Sequence, residues 1–121
     1  MTLEEAKILK TVEIKKEHDE DLHGLNTYTH NGKTISIVTG FELLYRFGVL
    51  GEYLKDNGAT SAEIRNYDDT KTTLSYPDEF DAMIILIRDD GVHKYGKKDR
   101  LLDMIADATT IEEVEALTWN Y

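Results

Sequence analysis

An Asn-Gly pair between two β-prone runs is the strongest local constraint in this chain. Asn31-Gly32 separates Leu25–His30 from Lys33–Val38. A two-residue hairpin turn needs φ > 0 at both central positions, and asparagine followed by glycine meets that need at least steric cost. The sequence therefore predicts an antiparallel hairpin over 25–38. Thr34, Ser36 and Val38 are expected to face outward together on its second strand.

Helix starts are marked by three Thr-x-x-Glu capping boxes, Thr2–Glu5, Thr39–Glu42 and Thr110–Glu113, in which hydroxyl and carboxylate each satisfy a backbone N–H. After the first, a short helix over about 3–9 is expected. Val12 and Ile14 then alternate with charged residues and read as a strand, and His18–Gly24 reads as a charged loop. After the second, Phe41 to about Asp56 reads as a helix closed by Asn57-Gly58. Its apolar residues Phe41, Leu43, Leu44, Tyr45, Phe47, Val49, Leu50, Tyr53 and Leu54 cover most of the circumference, which predicts a largely buried helix. Gly48 and Gly51 each cost about 1 kcal/mol in a helix interior, so close packing or a break is expected near them. After the third box, a helix from Ile111 to about Leu117 buries Ile111, Val114 and Leu117.

Two further strands, Ala62–Tyr67 and Thr72–Tyr76, flank a polar turn at Asp68–Lys71. Beyond Pro77, Ala82–Arg88 is an unbroken apolar run ended by Asp89-Asp90-Gly91. Such a run predicts a strand buried on both faces, with Ile85 near its middle. Lys97–Asp107 reads as a helix with Leu101, Leu102, Ile105 and Ala108 on one stripe. Strands grouped in the middle and helices at the ends imply an α+β domain over 1–121. The expected sheet is antiparallel or mixed with four to six strands, carrying a central buried helix and followed by two C-terminal helices. A chain of 121 residues can hold a core without metal or disulfide.

The chain has no cysteine, which excludes disulfides and thiolate chemistry. No apolar run approaches the roughly 20 residues of a membrane helix, and residues 1–20 lack the apolar stretch of a signal peptide. A cytoplasmic protein is the default expectation. The net charge is −10, and the stretch Leu101–Tyr121 holds five acids and no base. An acidic surface repels nucleic acid and anionic membrane and attracts basic protein surfaces; solubility alone also accounts for it.

No Gly-x-Ser-x-Gly elbow or phosphate-binding loop occurs. Glu13-Ile14-Lys15 has the local form of a nuclease acid-x-lysine pair but lacks a partner acid at a suitable place. Gly48-Val49-Leu50-Gly51 has the spacing of a KH-domain loop with apolar residues where that loop needs polar ones. The cluster from His18 to His23 matches no metal spacing. No catalytic residue, metal site or cofactor is assigned.

Two constellations remain. His93, Tyr95, Gly96, Lys97, Lys98 and Arg100 gather bases where a helix is expected to begin, which opposes the helix dipole. Free N–H groups, a glycine and lysines suit a phosphate-bearing small molecule such as a nucleotide; the plain alternative is an Asp99 N-cap with nothing bound. The second is an acidic face of Asp103, Asp107, Glu112, Glu113 and Glu115 followed by Trp119 and Tyr121. Large aromatics beside charge are common at protein interfaces; the plain alternative is a solvated helix face with Trp119 folded onto the core.

In size, charge and lack of a catalytic signature the chain resembles the small accessory proteins of bacteriophages and other mobile elements, a likeness of composition. The reading is of a non-enzymatic acidic protein that blocks a basic, nucleic-acid-binding protein partner, without itself binding nucleic acid or membrane. A homodimer is left open. The alternative is a binder of a small phosphate-bearing ligand.

Overall fold

In the computed structural model, which describes residues 1–120 and all their side chains but that of Phe41, Asn31 and Gly32 take φ of 55° and 75°. They join β1 (Leu25–His30) to β2 (Lys33–Val38), with Leu25 opposite Val38 and His30 opposite Lys33. Ile35 and Ile37 point inward with Tyr28, and Thr34 and Val38 face outward. The chain continues through α2 (Phe41–Asp56), β3 (Ser61–Arg65), β4 (Lys71–Ser75), α3 (Asp78–Asp107) and α4 (Ile111–Glu115), and α1 (Leu3–Leu22) precedes β1. Among the described residues the protein is α+β, with four helices and two antiparallel two-stranded sheets. Contacts group the chain into two compact units, one of residues 23–91 and one of residues 1–22 with the chain from Val92 onward.

The unit of residues 23–91 holds both ribbons. A single sheet of four to six strands does not form; two side chains and one loop N–H occupy the edge where a ladder would continue. The Asn66 side-chain oxygen accepts from the Ser36 N–H at 2.9 Å, and the Tyr67 N–H donates to the Ser36 carbonyl at 2.9 Å. The Thr72 hydroxyl donates to the Thr34 carbonyl at 2.7 Å. These bonds satisfy the edge of β2 without a third strand.

Helix α2 has the expected bounds, but its start is capped differently. Thr39 is buried; its hydroxyl accepts from the Asn26 amide and donates to the Gly24 carbonyl. It is therefore spent on the hairpin, and Gly40 is the N-cap without a side-chain bond. Gly40 has φ of 143°, and a Cβ there would lie 2.8 Å from the His23 ring. Nor is α2 a buried helix. Phe47 and Leu54 enter the core, while Tyr45, Val49 and Tyr53 are exposed.

The expected strand over Ala82–Arg88 is instead part of the 30-residue α3. Phe80, Met83 and Ile87 are buried and Ile85 is 45% exposed, which is helical spacing. An unbroken aliphatic run carries no period of its own, so the decision falls to its surroundings. Three acids stand in the first turn, Asp78, Glu79 and Asp81, where they complement the helix dipole. Ser75 and Glu79 also cap reciprocally, through Ser75 N–H to carboxylate at 2.7 Å and Glu79 N–H to hydroxyl at 3.3 Å. Asp89-Asp90-Gly91 ends nothing, because the helix runs through it.

The other unit is helical. Where a short helix, a strand and a loop are expected, α1 runs unbroken for 20 residues and buries Ala6, Ile14, His18 and Leu22. The last three recur every four residues; Val12 faces solvent. Ile14, Leu101, Ile105 and Trp119 form one cluster, and Ala6, Ala108 and Val114 another. The Thr2–Glu5 and Thr110–Glu113 caps both form, each threonine hydroxyl accepting the glutamate N–H at 3.1 Å.

Candidate functional site

The acidic stretch becomes a surface at the end of α3 and around α4. Asp103, Asp107, Glu112, Glu113 and Glu115 are all exposed. Glu113 has a structural duty as well, accepting from the Thr109 N–H at 2.9 Å. Between these acids lies a shallow concavity of about 440 Å³ lined by Met104, Asp107, Ala108, Glu113, Ala116 and Leu117. Met104 is 49% exposed, and its flexible thioether suits an adaptable apolar contact. Asp103 and Asp107 oppose the dipole at the C-terminus of α3. The Lys7 ammonium offsets them, donating to the Ala106 carbonyl at 2.7 Å.

Trp119 does not join that surface. It is buried, its indole N–H donates to the Asp21 carboxylate at 3.0 Å, and its ring meets His18 in a T-shaped contact with centroids 5.4 Å apart. A partner cannot use a side chain that the core already holds, so Trp119 is a core residue and not an interface anchor. Tyr121 lies outside the described residues.

His93, Tyr95, Gly96, Lys97, Lys98 and Arg100 all lie in the middle of α3. No helix begins there, Asp99 caps nothing, and the backbone N–H groups belong to a continuing helix. The geometry expected for a phosphate seated at a helix N-terminus is therefore absent from this segment. Three of its lysines lie against rings or an acid of the same unit, while His93 and Arg100 are exposed. Lys97 lies 4.2 Å from the Trp119 ring centroid and Lys98 4.8 Å from that of Tyr95. Such cation–π contacts contribute about 0.5–1 kcal/mol each when exposed. The neighbouring Lys94 is buried and pairs with Asp21 at 3.3 Å. Tyr95 meets His18 edge-on at 4.7 Å. The reversed charge of this segment thus reflects aromatic rings of the same unit that need covering.

Two features escape a linear reading. His18, Asp21 and Lys94 form a polar interior with Tyr95 and Trp119, and the four-residue spacing of Ile14, His18 and Leu22 is the signal for it. On α2, Tyr45, Arg46, Val49, Leu50 and Tyr53 line an apolar depression of about 410 Å³. The spacing of Tyr45, Val49 and Tyr53 is the signal here. Gly48 lies beside that stripe, and a Cβ there would meet nothing within 4 Å. The fold does not call for a glycine that costs about 1 kcal/mol against alanine.

One carboxylate is strongly perturbed. Glu79 is held down to a pKa of about 2, first by its bond to the Lys33 ammonium and then by the Ser75 N–H, with Asn31 also contributing. Lys33 and Ser75 both approach its Oε1 at 2.7 Å. This network ties the first hairpin to the start of α3, which is a structural duty. Among the described residues no group of three or more metal-ligating side chains is present, and no helix is long and apolar enough to cross a membrane.

No family model matches the chain, and neither a curated protein nor a solved structure is significantly similar to it.

Proposed function

We propose that the protein acts by binding another macromolecule, without turnover, and that the surface it binds is basic. The contact is the acidic end of the helical unit, Asp103, Asp107, Glu112 and Glu115 around the apolar floor of Met104, Ala116 and Leu117. The observation that carries this reading is the joining of exposed acids, in a stretch with no base, to an apolar concavity. Charge alone is explained by solubility; charge around an apolar depression fits a partner that brings both a base and an apolar side chain. A surface of this kind occupies sites that a basic protein reserves for phosphates, where phosphate contacts contribute much of the affinity. Blocking such a site is the role proposed, in the manner of a phage or mobile-element accessory protein.

The test uses two baits, the native chain and a variant with Asp103, Asp107 and Glu115 reversed to lysine. All three are exposed, so the variant keeps its fold. Proteins captured by the native chain and lost with the variant are expected to have basic contact surfaces. Equal capture by both baits contradicts the proposed face.

A further inference from the structure

Helix α1 is apolar on both sides. Ala6, Ile14 and Leu22 face the interior of the helical unit, while Ile8, Leu9 and Val12 on the other side are 59%, 58% and 61% exposed. Ile8 and Val12 are four residues apart and Leu9 and Val12 three, so all three share one face. Single exposed aliphatic side chains are ordinary on a protein surface; three within five positions form a patch. Beside it lies a shallow depression of about 290 Å³, lined by Ile8, Thr11 and Val12 together with Leu102 and Ala106 of α3.

The charges flanking the patch point to its occupant. From residue 4 to residue 16 they run Glu4, Glu5, Lys7, Lys10, Glu13, Lys15, Lys16. Reversing that order about Lys10 exchanges the sign at every position but Lys10 itself. A second copy of α1 laid antiparallel, with the two helices level at residue 10, sets Ile8 level with Val12, Glu4 with Lys16, Glu5 with Lys15 and Lys7 with Glu13. Lys10 comes level with its own copy, but its side chain is only 13% exposed and pairs with Glu13 of the same helix at 3.0 Å. Glu17, Asp19 and Glu20 pass beyond the charged part of the second helix, and no like charge stands level with them. The flanks agree as well as the levels. Glu4 and Lys15 are eleven residues apart, about three turns, and so lie on one flank of the patch; Glu5 and Lys16 lie on the other by the same spacing. In an antiparallel two-fold pair each flank meets the same flank of the other copy. Glu4 therefore meets Lys15 and Glu5 meets Lys16, one residue off level. All four are exposed, and the Lys16–Glu20 pair within one helix, at 4.0 Å, contributes little where it stands. A parallel copy sets every charge level with its own sign.

We propose that α1 is a homodimer interface, the Ile8–Leu9–Val12 patch packing antiparallel on the same patch of a second copy of this chain, with Glu4–Lys15 and Glu5–Lys16 pairs on either side. The contact is isologous, so each pair forms twice.

Sedimentation of the full chain over a range of concentrations tests this, with circular dichroism as the check on folding. The native chain is expected to show a monomer–dimer equilibrium. Lys15→Glu with Lys16→Glu is expected to keep the helix signal and to weaken the dimer about tenfold or more, because attractive pairs on both flanks become repulsive. Adding Glu4→Lys and Glu5→Lys to that variant returns the net charge to that of the native chain and every pair to opposite sign, so the dimer is expected to recover. Val12→Glu, at an exposed position, is expected to fold and to stay monomeric. A native chain that remains monomeric at millimolar concentration overturns the proposal. So does undiminished dimerisation of the double variant or of Val12→Glu, or a folded fourfold variant that dimerises no better than the double one.

Discussion

The two units of this protein carry the same formal charge and place it differently. The ribbon-bearing unit has eleven acids and six bases, the helical unit thirteen and eight, so each stands at −5. In the ribbon-bearing unit the buried ion is an acid, Glu79, held by Lys33 and Ser75. In the helical unit it is a base, Lys94, held by Asp21, while Lys97 lies over Trp119. The helical unit therefore buries one lysine against Asp21 and lays another over a ring, while most of its acids stay outside. Its acids Asp103, Asp107, Glu112, Glu113 and Glu115 are all exposed. Where a unit keeps its counter-charges matters more than how many it has.

The largest expected effects test whether each unit has a core of its own. Phe80→Ala in the ribbon-bearing unit and Trp119→Ala in the helical unit should each cost about 3–5 kcal/mol, as for other large buried aromatics. Denaturant melts read this directly. A loss under about 1 kcal/mol for Trp119→Ala would return that ring to the surface and to the partner interface.

The buried acid sets the next contrast. Glu79 titrates at about 2 in the fold, below its ordinary 4.5. A carboxyl depressed by folding contributes stability that is present above the unfolded pKa and lost as pH falls through the folded one. Stability should therefore decline between about pH 5 and pH 2, and Glu79→Gln should flatten that decline. Melting temperatures of both proteins across this window check it; parallel curves would remove Glu79 from the account.

The smallest effect concerns the apolar run inside α3. Ile85 in a central strand would cost about 2–5 kcal/mol on truncation to alanine. On a helix and 45% exposed, it should cost under about 1 kcal/mol. The same melts separate the two architectures.

Local rules with their own geometry were legible in the sequence. Asn31-Gly32 needed nothing beyond its flanking strands, and Phe41–Asp56 carried enough apolar residues to be read as a helix within its observed bounds. The Thr2 and Thr110 hydroxyls capped as their spacing implied, though Glu5 meets the Thr2 hydroxyl and Glu113 the Thr109 N–H instead of the cap residue's own N–H; Thr39 did not cap, because the hairpin claimed its hydroxyl. What stayed hidden depended on tertiary partners. Ala82–Arg88 has no internal period, and the Ser75–Glu79 cap that starts its helix spans four residues instead of three. Val12 and Ile14 alternate as a strand would, and only the burial of His18 and Leu22 makes α1 continuous. The acidic end was visible because charge can be counted along a chain. Trp119 was not, because a tryptophan near acids looks the same whether a partner or its own His18 and Asp21 receive it. The bases from His93 to Arg100 did break a local rule, but the Trp119 ring that receives Lys97 lies 22 positions away and the His18 ring that meets Tyr95 lies 77 positions away, in a chain whose folding alone brings them together.

The central claim is that the acidic end of the helical unit meets a basic surface, and the salt dependence of the association rate tests it most directly. Coulomb attraction across such a contact raises the rate of encounter more than the intrinsic affinity, and salt screens it beyond about 8–10 Å. With a captured partner, the account predicts a rate that falls steeply as salt rises for the native chain and a slow, nearly flat rate for the Asp103, Asp107 and Glu115 reversal. A native rate that does not change with salt would contradict it.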